Sequence, residues 1–105
     1  RAGTQWFKNW FLPIYNEYGQ VKVLNGFFTM LSLHFPKRSI TVQGKSYQEY
    51  TRKMNFGEFV HFWSGAAKAD LEPLALVAFG SKDEKGADWL PMLAKAKIDF
   101  PNITY

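Results

Sequence analysis

The chain has 105 residues, enough for one domain, and 47% of them are hydrophobic, with ten Phe, five Tyr and four Trp offering large surfaces to a small core. The absence of cysteine excludes a disulfide framework and a thiolate zinc site. The formal charge of +4 comes from thirteen basic and nine acidic residues spread along the chain and often adjacent, as in Lys82, Asp83, Glu84 and Lys85, which reads as a solvated surface rather than a phosphate-binding stripe.

In "TQWFKNWFLPIYNEYG", residues 4 to 19, Trp6, Trp10, Ile14 and Tyr18 recur every four residues, and Phe7, Phe11 and Tyr15 form the neighbouring row. Two such rows predict one broad apolar helical face, with Thr4 as cap, Gly19 as stop and a bend near Leu12 imposed by Pro13. "QVKVLNGFFTMLSLHFP" carries a second helical stripe through Val23, Leu24, Phe27, Phe28, Leu31 and Phe35, closed by Pro36, although its β-rich composition leaves a strand open for part of it. Gly26 lowers helix propensity and offers another helix a close approach. With Gly19 between them, the two segments predict an antiparallel helical hairpin.

"KRSITVQGKS" is the non-helical stretch: Ile40 and Val42 alternate with polar residues before Gly44, so a loop or short extended arm is expected near residues 37–45. Ser46 with Glu49 matches a capping box and predicts a short helix through Met54, and Asn55 with Glu58 repeats the device at once. Phe56, Phe59, Val60, Trp63 and Ala67 then fall at helical spacing, with Gly65 and Ala66 leaving room for a neighbour. Asp70 is expected to cap the next helix, with Pro73 in its first turn and Gly80 at its end. A last helix is expected after Asp88, carrying Trp89, Met92, Leu93 and Ala96 and ending before Pro101. The fold class is therefore mainly α: about five helices in a compact bundle with one irregular or extended arm. Because the chain opens on Arg1 and Trp6 already sits in an amphipathic pattern, residues 1–105 are expected to be a single helical domain of a longer polypeptide.

Chemistry finds little footing. His61 and Ser64 lie three apart on one helix, but Asp70 falls beyond the next corner and is already a cap, so neither an oriented base nor an anion-stabilising turn is implied. His34 and His61 lack the i, i+4 partners of zinc peptidase helices, and the glycines form neither a P-loop nor a dinucleotide fingerprint. No catalytic, cofactor or metal residue is assigned, and the sequence leaves open whether the intact protein is an enzyme. "KSYQEYTRK" gathers Lys45, Tyr47, Tyr50, Arg52 and Lys53, but Glu49 in its middle disfavours nucleic acid. Trp6, Trp10, Trp63 and Trp89 all lie on apolar faces and are expected in the core, with Trp6 and Trp10 the best exceptions; these two, with Tyr47 and Tyr50, are the candidate interface or ligand surface. No apolar run approaches the roughly 20 residues needed to cross a bilayer, and the chain reads as soluble.

Residues 55 to 80, "NFGEFVHFWSGAAKADLEPLALVAFG", run cap, aromatic-rich helix, Ser with small residues, Asp-Leu, then a helix closing on an aromatic and Gly. This order resembles the C-terminal helical part of enhancin-like zinc metallopeptidases, and "WFLPIYNEYGQVKVLNGFF" is similar to that family's preceding helix, loop and helix. Asn55, Trp63, Ser64, Asp70, Leu71 and Gly80 carry the structural signature. The resemblance implies that zinc, its H-E-x-x-H helix and the downstream glutamate ligand lie upstream of this segment. It further implies a non-catalytic part of a secreted or surface hydrolase that packs on the catalytic domain and shapes access for a peptide or glycoprotein substrate. The alternative expectation is a free-standing helical module binding carbohydrate or protein through its aromatic surface.

Overall fold

A computed structural model describes residues 6–105, and the Thr4 cap expected from the sequence lies outside them. A π-helical stretch, Trp6–Phe11, runs directly into helix α1, Leu12–Glu17. The change from wide to regular turns falls beside Pro13, which has no N–H to give to the preceding turn and whose ring needs space there. Tyr18 to Gln20 turn the chain, with Gly19 at φ +112°, a conformation that suits a residue without Cβ. Helix α2, Val21–His34, is helical throughout and stops before Pro36, so the open strand alternative is not taken. Helices α3 (Phe56–Ala67), α4 (Glu72–Phe79) and α5 (Leu90–Asp99) complete a mainly α architecture.

Helix α3 is the centre of the molecule. The sequence pattern suggests one apolar face, yet Gly57, Glu58 and every residue from Val60 to Gly65 are buried. A helix covered on all sides is a core element rather than a surface one. Helix α5 packs along one side of it, where Gly57 lets the α5 backbone at Met92 and Leu93 come close, and α2 packs along another, where a Cβ on Gly26 would stand 3.6 Å from that of Ala66. Aromatic rings fill the remaining space: Trp63 stacks on Phe27 at 4.4 Å between centroids, and Phe56 meets both Phe79 and Trp89 edge-on at 5.1 Å.

Both ends of α3 are fixed locally. The Asn55 side chain accepts from the Glu58 N–H at 2.8 Å while the Asn55 N–H donates to the Glu58 carboxylate at 2.9 Å, the reciprocal box expected from the sequence. Lys68, at φ +57°, closes the other end in the left-handed region. The Asp70 side chain accepts from the Glu72 N–H at 3.0 Å and caps α4 from one residue further out than the formal helix boundary, and Gly80 ends the helix at φ +75°. Asp88 serves α5 in the same way, accepting from the Leu90 N–H at 3.2 Å.

The expected short helix from Ser46 to Met54 is not formed. Lys37–Val42 (β1) and Lys45–Tyr50 (β2) make an antiparallel hairpin, with Ile40 opposite Tyr47 and Val42 opposite Lys45. Gln43 and Gly44, both at positive φ, make a two-residue turn whose twist matches paired strands, and Thr, Val, Ile and Tyr favour the extended state on either side. Glu49 does not cap Ser46; it faces Arg38 across the ladder and accepts from the guanidinium at 2.6 Å. The extended arm expected near residues 37–45 is therefore real but longer, and it stands off the helices. Neither strand packs extensively on another element, and the Cα radius of gyration of 14.8 Å exceeds the roughly 13 Å of a rounded domain of this length.

Candidate functional site

The residues that a search for catalysis would choose first lie inside the protein. His61 is buried on α3 with both ring nitrogens engaged: Nε2 lies 3.0 Å from the Phe100 carbonyl and Nδ1 lies 2.9 Å from the Tyr105 hydroxyl. A carbonyl can only accept, so Nε2 carries the proton, and the neutral ring accepts from Tyr105 at Nδ1. Ser64, also buried, accepts from the Leu71 N–H at 3.0 Å. Burial pushes the Tyr105 hydroxyl up to about 12, helped by Asp70 and Glu72 and opposed by Ser64. The orienting partner of His61 is a carbonyl rather than a carboxylate, and no substrate reaches either it or Ser64. The cluster fastens the C-terminal segment to the central helix.

Burial also holds the His61 imidazole below its ordinary value of 6.5, only partly offset by the bond to Phe100. The unfolded chain therefore binds a proton at a higher pH than the folded one, and stability declines as pH drops below about 6.5. We expect the urea midpoint to be lower at pH 5.5 than at pH 7.5, and that difference to shrink in His61→Gln. An unchanged slope in the variant would assign the effect elsewhere.

The candidate surface residues do not form one surface. Trp10 is fully buried, packed against Phe59 and Phe79, and so is removed from any ligand face. Trp6 stays partly exposed and stacks on Phe11 at 5.4 Å. Tyr47 and Tyr50 are both half-exposed, but three positions along one strand puts them on opposite faces of the hairpin, and Tyr50 leans edge-on towards Phe35 at its base. Of the structural signature, Asn55, Asp70 and Gly80 are helix boundaries, Trp63 is core, and Ser64 holds the α3–α4 corner.

Two exposed features stand out instead. The outer side of α2 carries Val21, Phe28 and Leu33, the last two 56% and 71% exposed, and Phe28 and Leu33 border an open groove with Asn25, Thr29 and Ser32. The second feature is charge, which even a windowed count along the sequence reveals. Residues 37–53 hold five basic residues, Lys37, Arg38, Lys45, Arg52 and Lys53, against Glu49 alone, so this stretch carries +4 while the other eight basic and eight acidic residues cancel. The net charge is not dispersed; it sits on the arm and its base.

Arg52 anchors that base to the helices. Its guanidinium donates to both Glu58 oxygens at 2.8 and 2.7 Å and lies 4.7 Å over the Phe35 ring. Burial opposes ionisation of Glu58, yet the bonds from Arg52 and the Asn55 N–H outweigh it and hold the carboxyl below its ordinary value.

Fold and surface together define a small, mainly helical domain with a projecting basic hairpin. Compared with family models, curated proteins and solved structures, the chain matches none. Among the described residues no three His, Asp or Glu side chains gather to hold a metal, and no helix is long and apolar enough to cross a membrane.

Proposed function

We propose that this chain is a non-catalytic helical domain that packs, through the outer side of α2, on a neighbouring domain of the same polypeptide. The observation that carries the reading is the apolar side of α2, where Val21, Phe28 and Leu33 are left to water on a helix whose other side is already buried against α3. The order of residues 55–80 supports a secreted or surface zinc metallopeptidase as the whole, with its metal and catalytic residues upstream and this domain bordering the path of a peptide or glycoprotein substrate. A stacking platform for carbohydrate is less well supported, since Trp10 is buried and Tyr47 and Tyr50 face opposite ways.

The test begins with the polypeptide upstream of Arg1: an H-E-x-x-H helix with stoichiometric zinc is expected. In that intact protein, Phe28→Ser with Leu33→Ser should lower the unfolding temperature and increase proteolysis at the domain junction. In the isolated chain the same pair should change stability by no more than about 1 kcal/mol, because both side chains are already exposed. Equal effects in both contexts would remove the docking role, and an upstream region lacking metal would remove the peptidase.

A further inference from the structure

We propose that the β2 edge of the hairpin, with the groove at its base, docks an extended acidic segment of polypeptide as a third strand. A lone two-stranded hairpin is marginal in water, and this one receives little packing from the helices. The hydrogen bond from the Thr51 N–H to the Pro36 carbonyl, 3.0 Å, extends the ladder below Lys37 and Tyr50 and fixes its phase. By strand alternation the inward-bonded pairs are 36/51, 38/49, 40/47 and 42/45, so the backbone groups of Ser46, Gln48 and Tyr50 point outward from β2. No proline or bulge blunts that edge.

Charge and shape identify the occupant. Arg38 and Arg52 are matched by Glu49 and Glu58, whereas Lys45 at the tip end of β2 and Lys53 beyond its base have no carboxylate partner among the described residues. Between α2 and the base of the arm lies a groove of about 520 Å³, with Leu31, Phe35, Tyr50 and Met54 as apolar lining beside Arg52 and Lys53. A segment laid along β2 would gain main-chain hydrogen bonds, set carboxylates near Lys45 and Lys53, and place an apolar side chain in the groove. Single-stranded nucleic acid fits less well, because it needs aromatic rings on one face and Tyr47 and Tyr50 lie on two. This inference concerns the arm alone and stands whether or not α2 docks on a peptidase domain.

The probe is a fluorescein-labelled peptide of about ten residues alternating Glu and Val, long enough to cover β2 and reach the groove, titrated at low ionic strength by anisotropy. Binding is expected to fall at least about tenfold in Lys45→Glu/Lys53→Glu and to weaken with added salt. Gln48→Pro should weaken it to a similar degree, since it removes an outward N–H without taking a bond from the hairpin ladder, whereas Thr41→Pro on the β1 edge should not. In the unsubstituted protein the amides of Ser46 and Gln48 should gain protection from hydrogen exchange when peptide is added, which tests strand addition independently of any variant. No binding at low ionic strength, unchanged exchange at those amides, or binding of oligothymidylate in place of the peptide would each overturn the proposal.

Discussion

Replacing Gly57 with alanine is expected to lower the stability of this domain by about 3 kcal/mol, against a gain of up to about 1 kcal/mol for Gly26→Ala. Gly26 lies in the interior of α2 and Gly57 in the first turn of α3, both at helix contacts, and propensity alone would favour alanine over glycine at each. The difference is what the new methyl group meets. At Gly26 it finds Ala66 at 3.6 Å, an ordinary contact. At Gly57 it falls on the Leu93 nitrogen and the Met92 carbonyl carbon, which belong to the α5 backbone and cannot turn aside as a side chain can. Helices α3 and α5 would have to separate, loosening the helix pair that carries much of the core. Thermal unfolding should show a drop on the order of 15 °C for Gly57→Ala. A shift of only a degree or two would mean that the two helices do not approach as closely as described.

The second large effect is expected at Arg52. Glu58 is 3% exposed, and its charge is held by Arg52 together with the N-cap backbone of its own helix. Arg52→Ala leaves the carboxylate buried with one of these supports, a change that costs about 3–5 kcal/mol at a fully enclosed pair. Because Arg52 is 45% exposed and water can enter its place, about 2 kcal/mol is the appropriate figure here. In the unsubstituted protein the Glu58 carboxyl is held low, so its stabilisation is complete above the ordinary carboxylate range and disappears as pH falls through the folded value. In Arg52→Ala burial is less opposed and the carboxyl rises. The deficit of the variant should then be largest near neutrality and shrink as pH falls through the carboxylate range. Denaturant titrations of both proteins from neutral to acid pH test this, and a deficit independent of pH would show that Arg52 acts through its packing on Phe35 instead.

The helices were legible because their signals are local. Asn55 with Glu58, Asp70 before Pro73, and Gly80 each act within one turn of the chain, and the structure uses all of them. The segment from Ser46 to Met54 misled because a capping box is only a spacing of residue types. Its Glu49 had a better partner eleven residues earlier in Arg38, and the Gln43–Gly44 turn brought the two together. The all-round burial of α3 was hidden for a related reason: Glu58, His61 and Ser64 read as polar, and only Arg52, Phe100, Tyr105 and Leu71, distant in sequence or beyond a corner, make them fit to be buried. Trp10 and Trp6 are indistinguishable by periodicity, yet one is core and the other lies partly open. The charge of the arm was present in the sequence and obscured by averaging over the chain.

The separation of the hairpin from the helical body gives this molecule two stabilities rather than one. Helix α3 touches partners on every side, so its amides open to solvent only when the helices come apart together, in a single cooperative event. Among the described residues the arm is joined to that event through its base, at Phe35, Lys37, Tyr50 and Arg52, and its strands can fray and re-form while the helices remain intact. A denaturation midpoint recorded from tryptophan fluorescence describes the body and is nearly blind to the arm, which contains no tryptophan. The part of the chain that carries the net charge is thus the part whose order can change at little cost to the rest.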